Sequence, residues 1–129
     1  DEVSVGAITA SFHPVPHFID TFAVNVGAEG TGSKLSYSAD TSPSEEIVEI
    51  ARDADLMVVE ATLPRPERTG VRGHLTPEEA GDHARRAGAK RVVITHISDE
   101  LGDEWAREQA EAGFGGPVEV AREGAVYDL

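Results

Sequence analysis

The sequence of 129 residues contains no cysteine, which excludes disulfide bonds and metal sites built on thiolates. Any transition-metal site in this chain must therefore use histidine and carboxylate side chains as ligands. The lack of cysteine is also compatible with a cytoplasmic location, which we expect for this protein. Long apolar runs are missing as well, and the sequence predicts neither a membrane helix nor a signal peptide.

Basic residues are scarce: 11 Lys and Arg stand against 24 Asp and Glu, and the formal net charge is −13. A surface this acidic repels phosphate backbones at long range, so extended contact with DNA or RNA is not expected. A small anion is a different case, because a bound metal ion dominates the electric field close to it. The charge therefore favours a small anionic substrate over a nucleic acid.

The length allows one domain, residues 1–129, with a real hydrophobic core. Alternation of apolar and polar residues predicts an antiparallel meander at the start, and buried apolar runs then alternate with capped helices. The sequence thus predicts an α/β layer, a mixed sheet with helices on one face. The predicted strands are Val3 to Phe12, Phe22 to Val26, Lys34 to Ser38, Leu56 to Glu60, Arg91 to Thr95, Val118 to Val120 and Ala125 to Tyr127; the predicted helices begin at Ser42 as N-cap, at Thr76 and at Asp103, with Gly88 and Gly113 ending the second and third.

Four polar side chains stand at or just beyond the ends of predicted strands: His17, Asp40, His74 and His96. Loops at strand ends are where α/β folds place functional sites. Neutral imidazole and carboxylate suit zinc, manganese or iron, and one Asp can bridge two ions. Taken singly, each residue also has a structural explanation, as a turn residue or as a hydrogen-bonded or loop histidine. His83, inside the second helix, is expected to be solvated or stabilised by the helix dipole, without a function.

The order of short segments along the chain is more specific than any single residue. These segments are Val15-Pro16-His17, Ser38-Ala39-Asp40-Thr41, Glu60-Ala61-Thr62, Gly73-His74-Leu75-Thr76 and Ile94-Thr95-His96. Their series resembles the C-terminal half of the metallo-β-lactamase superfamily, in particular its ribonuclease Z-like and phosphodiesterase branch, from about Ile8 to the end. Ala39 stands where the family has glycine, and Glu60 lies where this branch often has a carboxylate behind the metal ligands.

The resemblance implies half of an αββα sandwich and a metal-dependent hydrolase with two divalent ions. Zinc is expected, with manganese or iron as alternatives. His17, Asp40 and His96 would be metal ligands, with Asp40 bridging both ions. Asp40 and His74 would be the catalytic residues, and His74 would assist departure of the leaving group.

The family's N-terminal H-x-H-x-D-H motif, which supplies most metal ligands, has no counterpart in this chain. His13 and His17 form the only close histidine pair, and their spacing and context do not match that motif. The resemblance therefore implies that the N-terminal half of the same fold, or a second chain, completes the site, and a homo-oligomer is expected.

A small phosphodiester, such as a cyclic nucleotide, fits the negative charge better than the tRNA substrate of a true ribonuclease Z. A lactone or another ester is an alternative, because the same metal site serves both chemistries. A further alternative is a non-catalytic interaction half whose ligands are remnants.

Overall fold

The computed structural model describes residues 1–129 as one seven-stranded sheet and three helices. None of the three helices has the length and apolar character that crossing a bilayer requires. In chain order the elements are β1 (Glu2–Val5), β2 (Ile8–Val15), β3 (Thr21–Ala28), β4 (Lys34–Tyr37), α1 (Glu45–Ile50), β5 (Leu56–Glu60), α2 (Pro77–Ala87), β6 (Val92–Thr95), α3 (Asp103–Phe114) and β7 (Glu119–Val120).

The strands lie in the sheet in the order in which they occur along the chain. Pairing is antiparallel from β1 to β4 and parallel from β4 to β7. Each parallel connection passes through a helix, and such crossovers are right-handed. Because all three crossovers advance in the same direction, the three helices lie on one face, with α2 in contact with both α1 and α3. The predicted mixed sheet with helices on one face is confirmed.

The predicted first strand, Val3 to Phe12, is wrong as a single element. It forms a hairpin, in which Val5 pairs with Ile8 across a two-residue turn. Gly6 in that turn has φ +59°, a left-handed conformation that glycine adopts without steric cost. Apolar and polar residues continue to alternate through the turn, so the pattern did not reveal it.

The first helix begins two residues later than the sequence predicts. Its N-cap is Ser44, whose hydroxyl accepts the backbone N–H of Ile47 at 3.3 Å. Ser42 instead donates its backbone N–H to the carbonyl of Pro16, at 2.9 Å. Ser42, followed by Pro43 and by Glu45 three residues on, matches the capping pattern, but its tertiary hydrogen bond leaves Ser44, two residues later, as the cap. For α2, both predicted caps are confirmed. Thr76 and Glu79 form a capping box, and Gly88 ends the helix in a left-handed conformation.

The third helix continues past Gly113 and ends at Gly115, which has φ +80°. Gly113 is needed inside the helix, because a Cβ there would lie 2.0 Å from the carbonyl oxygen of Glu78 in α2. Gly81 makes the reciprocal approach, 2.0 Å from the carbonyl oxygen of Ala110 in α3. The two glycines let α2 and α3 pack backbone against backbone. The predicted closing strand at Ala125 to Tyr127 is absent from the sheet.

His83 is buried, with 5% of its surface exposed, so of the two expected explanations the solvated side chain is wrong. Its Nδ1 lies 2.7 Å from the carbonyl oxygen of Glu79, and its Nε2 accepts the backbone N–H of Ser44 at 3.2 Å. A neutral ring with its proton on Nδ1 satisfies both contacts. His83 therefore joins the start of α1 to α2.

The core lies between the helices and the sheet, whereas the opposite sheet face is apolar and open in its antiparallel part. Phe12 pairs with Val24, and Val24 with Tyr37, so these side chains share one face. Phe22 lies on that face too, two residues from Val24. Ser36, next to Tyr37, faces the helices and is buried. Between 36% and 49% of Phe12, Tyr37 and Phe22 is exposed.

The backbone contact between α2 and α3 leads to a stability prediction. Glycine to alanine normally stabilises a helix interior, but Gly81→Ala in the complete polypeptide should lower the free energy of unfolding by about 1–3 kcal/mol, because the new methyl meets the backbone of α3. Chemical denaturation measures the change. Gly116→Ala is the control, since a Cβ there would meet only the side chain of Phe114, at an ordinary contact distance of 3.5 Å. An unchanged or raised stability for Gly81→Ala would contradict the packing.

Candidate metal centre

The four sequence-predicted site residues lie at one edge of the sheet because of strand direction. β2 and β4 are both antiparallel to β3, and β5 and β6 are parallel to β4, so these four strands run the same way. Their carboxyl ends therefore meet at one edge. His17 follows β2, Asp40 follows β4, Glu60 ends β5 and His96 follows β6. His74 reaches the same edge from the segment that precedes α2.

The carboxylate of Asp40 lies between two imidazoles. His17 Nε2 is 3.9 Å from Asp40 Oδ2, and His96 Nδ1 is 3.2 Å from Asp40 Oδ1. The ring of His74 stands between the other two histidines, with centroids 5.0 Å from His17 and 5.4 Å from His96. The structure thus brings all four residues together, although whole elements separate them in sequence.

Glu60 is a buried carboxylate, 1% exposed, on which the surrounding loops converge. Its Oε1 is 2.9 Å from the backbone nitrogen of Thr41 and 2.9 Å from His74 Nδ1. Its Oε2 accepts the hydroxyl of Thr62 at 2.8 Å and the backbone N–H groups of Leu75 at 3.1 Å and Thr62 at 3.3 Å. Five donors occupy its two oxygens, so Glu60 positions the site and has no free oxygen for a metal ion.

Acceptors behind the rings fix which nitrogen of His17 and of His74 is available. His17 Nδ1 lies 2.7 Å from the carbonyl oxygen of Gly73, which can only accept a hydrogen bond. In the neutral ring the proton is therefore on Nδ1, and the unprotonated Nε2 faces Asp40. His74 Nδ1 donates in the same way to Glu60, which leaves Nε2 toward the site. Such a hydrogen bond to the second ring nitrogen is the usual way in which proteins orient metal-binding and catalytic histidines.

Two site loops contain a non-glycine residue in the left-handed region. Ala39 and His96 both have φ +52°. Ser38 holds the first loop, since its hydroxyl lies 2.7 Å from the carbonyl oxygen of Ala39 and accepts the backbone N–H of Glu60 at 3.0 Å. Thr62 holds the second: its Oγ1 is 2.9 Å from His96 Nδ1 and 2.8 Å from the carbonyl oxygen of His96. Backbone strain of this kind concentrates at functional sites, where surrounding contacts maintain it.

Phe18 is a site neighbour that the sequence did not reveal. Its ring centroid lies 5.0 Å from that of His17 and 6.1 Å from that of His74. The ring covers Gly73 so closely that a Cβ there would lie 2.3 Å from Phe18 Cε2. Thr62 was equally unforeseen as a contact of His96. The available signals were a glycine directly before His74 and a polar residue two positions after a buried strand.

The donor set fits a divalent transition metal. The nearest ligand atoms of His17, Asp40 and His74 all lie within 4.8 Å of one another, and so do those of Glu60, His74 and His96. Glu60 is the weakest ligand candidate among these residues, because both of its oxygens are already hydrogen-bonded. That leaves His17, Asp40, His74 and His96, of which the family resemblance assigns His74 to the leaving group. Imidazole with carboxylate is the set that zinc, manganese and iron accept. Asp40 has one histidine against each of its two carboxylate oxygens.

The electrostatic environment favours a cation. Burial raises the pKa of Tyr37, and the negative charges of Asp40 and Glu60 raise it further. The same two carboxylates that disfavour a tyrosinate at this edge attract a positively charged ion. The ligand roles of His17, Asp40 and His96 remain predictions.

The strained position of Ala39 leads to a second stability prediction. A left-handed backbone costs a residue with a Cβ about 1–2 kcal/mol, which a glycine would avoid. Part of this stabilisation is lost again, because glycine has more conformational entropy in the unfolded chain. Ala39→Gly should therefore raise the free energy of unfolding by about 0.5–1 kcal/mol in denaturation of the complete polypeptide. Ala112→Gly, at an exposed position in α3, should instead lower it by about 1 kcal/mol. Equal losses for both variants would show that Ala39 is unstrained.

Comparison with known proteins agrees with this geometry. A family model described as a β-lactamase superfamily domain matches residues 1–97. Ribonuclease Z of Haloarcula marismortui is 41% identical over 108 residues, which cover 77% of this chain and 33% of that protein. The chain therefore spans about a third of the length of this curated relative.

Solved structures show the same relation. The metallo-β-lactamase fold protein YhfI from Bacillus subtilis superposes with a TM-score of 0.88 at 25% identity, covering 98% of this chain and 51% of that one. The short form of human tRNase Z superposes with a TM-score of 0.72 at 25% identity, over 98% of this chain and 45% of that one. On the family match, the sequence identity and the shared fold, this chain belongs to the metallo-β-lactamase superfamily and is ribonuclease Z-like.

Proposed function

We propose that this chain is the C-terminal half of a metal-dependent hydrolase that cleaves a small phosphodiester, such as a cyclic nucleotide, at a dinuclear site. The observation that carries the proposal is the placement of Asp40, which has the ring of His17 against one carboxylate oxygen and that of His96 against the other. Family membership supports the class of hydrolase. Because the chain spans only part of its relatives, the activity is proposed for the complete polypeptide.

Each of the three proposed ligands has a defined part. His17 presents Nε2, because the carbonyl of Gly73 occupies Nδ1. His96 faces Asp40 Oδ1 with its Nδ1, at 3.2 Å, and the hydroxyl of Thr62 lies 2.9 Å from the same nitrogen. Asp40 thus offers one oxygen to each side. Two divalent ions, expected to be zinc with manganese or iron as alternatives, would when bound activate water and polarise the scissile bond.

His74 is proposed to donate a hydrogen bond or a proton to the leaving group through Nε2. A second proton on the ring makes it cationic, and the buried carboxylate of Glu60, 2.9 Å from Nδ1, supplies the countercharge. Because five donors hold Glu60, it keeps the ring in one orientation while Nε2 acts.

A small substrate is favoured over tRNA by the net charge of −13, since a polyanion would be repelled outside the metal centre. A lactone or another ester remains the alternative substrate, because the proposed residues serve either hydrolysis. A non-catalytic interaction half, the other alternative, predicts a site that binds no metal.

We further propose that the N-terminal half of the same fold, or else a second chain such as another copy, covers the open sheet face. The exposed rings of Phe12, Phe22 and Tyr37 form an apolar surface, and soluble monomers rarely leave a large one uncovered. The same half would bring the H-x-H-x-D-H ligands that this chain lacks.

Asp40 and His74 should respond differently to removal. In the complete polypeptide, Asp40→Ala should lose bound metal and activity together, since it removes the residue proposed to touch both ions. His74→Ala should retain metal and lose roughly 100-fold or more in kcat, because the side chain acts on the leaving group and does not hold the ions. Metal analysis beside a cyclic-nucleotide assay measures both.

His13→Ala is the matched control, because His13 lies on β2 and its Nε2 contacts only the hydroxyl of Ser11, at 2.9 Å. It should keep both metal and turnover. Wild-type turnover in His74→Ala would refute the assigned role, and full metal content in Asp40→Ala would refute the bridging carboxylate. Hydrolysis of lactones but not of phosphodiesters would select the alternative substrate.

The open face gives a prediction for residues 1–129 alone. This fragment should associate in solution and bind a hydrophobic dye, because its apolar sheet face has no cover. Light scattering after size exclusion measures the mass, and Phe22→Ser should reduce dye binding relative to the unsubstituted fragment. A monodisperse 13.7 kDa monomer without dye binding would count against a partner layer.

A further inference from the structure

We infer that Arg72 is a positioning residue for His74, holding the backbone of that residue to the N-terminus of α2. The inference rests on the proposed role of His74 in leaving-group departure. No motif in the sequence indicates it, because Arg72 lies at the end of an exposed loop that carries two other arginines.

The guanidinium of Arg72 joins two structures. Its Nε donates to the carbonyl oxygen of His74 at 3.2 Å, and its Nη2 donates to Glu79 Oε1. The same Glu79 oxygen accepts the backbone N–H of Thr76 at 2.9 Å, and the hydroxyl of Thr76 accepts the backbone N–H of Glu79 at 3.2 Å. One side chain thus links the His74 backbone to the capping box of α2.

The loop before Arg72 explains why such a link is needed. Residues 64–71 are exposed and form no hydrogen bond to the rest of the chain. After His74 the backbone is fixed, because Leu75 donates its N–H to Glu60 at 3.1 Å and accepts that of Leu63 at 2.9 Å. Arg72 is therefore the first anchored residue after the loop, and it separates the loop from the catalytic histidine.

The ion pair is partly shielded from water, with 22% of the Arg72 side chain and 26% of the Glu79 side chain exposed. Burial raises the pKa of Glu79, but the hydrogen bonds from Arg72 and Thr76 outweigh it, and the pKa is lowered overall. The two contacts require a forked group such as guanidinium, because one side chain must donate to a carbonyl and to a carboxylate at the same time. Lysine offers only a point charge on a flexible stem.

Loss of this link should act on turnover and not on binding. His74 works in the transition state, so an error in its position raises the barrier for bond cleavage. The proposed metal ligands His17, Asp40 and His96 form no hydrogen bond with the side chain of Arg72. His17 meets this segment only at the Gly73 carbonyl, at 2.7 Å, so metal content should be unaffected. A residue that contributed only stability would change the melting temperature and leave kcat intact.

The test compares Arg72→Gln and Arg72→Lys in the complete, metal-reconstituted polypeptide. Arg72→Gln should lower kcat roughly 10- to 100-fold with KM and metal content unchanged, and Arg72→Lys should recover part of the loss. Arg85→Gln is the matched control, since Arg85 pairs with Asp82 on the exposed side of α2 and should keep wild-type turnover.

A second readout does not depend on activity. In the metal-free polypeptide, nitrogen NMR of the imidazoles should show the His74 resonances shifted in Arg72→Gln and unchanged in Arg85→Gln. If Arg72→Gln does not fold, Arg72→Lys carries both measurements, with a smaller shift and a kcat below wild type expected.

The outcomes separate the two ideas. Wild-type kcat in folded Arg72 variants, with His74→Ala inactive, overturns the positioning role and leaves the proposed function standing. A lower melting temperature with unchanged kcat and unchanged His74 resonances also overturns it. Wild-type turnover in His74→Ala overturns the proposed function itself, and the role of Arg72 with it.

Discussion

The buried carboxylate of Glu60 is the interaction on which the rest of the site depends. Removing a charge from water costs several kcal/mol unless hydrogen bonds replace the lost hydration. Here five donors supply them, and they come from the Asp40 loop through Thr41, from the segment with His74 and Leu75, and from Thr62. The hydrogen bonds that compensate this one buried charge therefore hold together the loops that carry the site residues.

That arrangement also explains how the site tolerates local strain. Ala39 and His96 adopt left-handed backbone, which is unfavourable for both residues. The hydroxyl of Ser38 holds the first loop. Thr62, which donates its hydroxyl to Glu60, lies 2.9 Å from His96 Nδ1 in the second loop. Strain at the ends of strands β4 and β6 is thus supported by residues that contact Glu60, Ser38 through the backbone N–H and Thr62 through the carboxylate.

The sequence predicted those features that depend on short segments, and it missed those that depend on contacts between distant backbones. Strand direction alone brings His17, Asp40 and His96 to one edge, so their convergence followed from the order of the elements. Gly113 resembled a helix end because an interhelical glycine and a terminal glycine look alike in sequence. The link from Arg72 to His74 depends on where a helix begins relative to a loop, and no spacing rule encodes that distance.

Under the proposed function, one partner layer accounts both for the uncovered sheet face and for the metal ligands that this chain does not contain. The edge that carries Asp40 adjoins the open face with Phe22 and Tyr37, so one partner layer would cover the apolar surface and complete the ligand set together. Metal ions held jointly by two layers bind the assembled state more tightly than either separate half, and they stabilise the assembly by that difference. Under the proposed function, assembly and metal loading would therefore be linked. Asp40, proposed to touch both ions, is the residue of this chain through which that coupling would act.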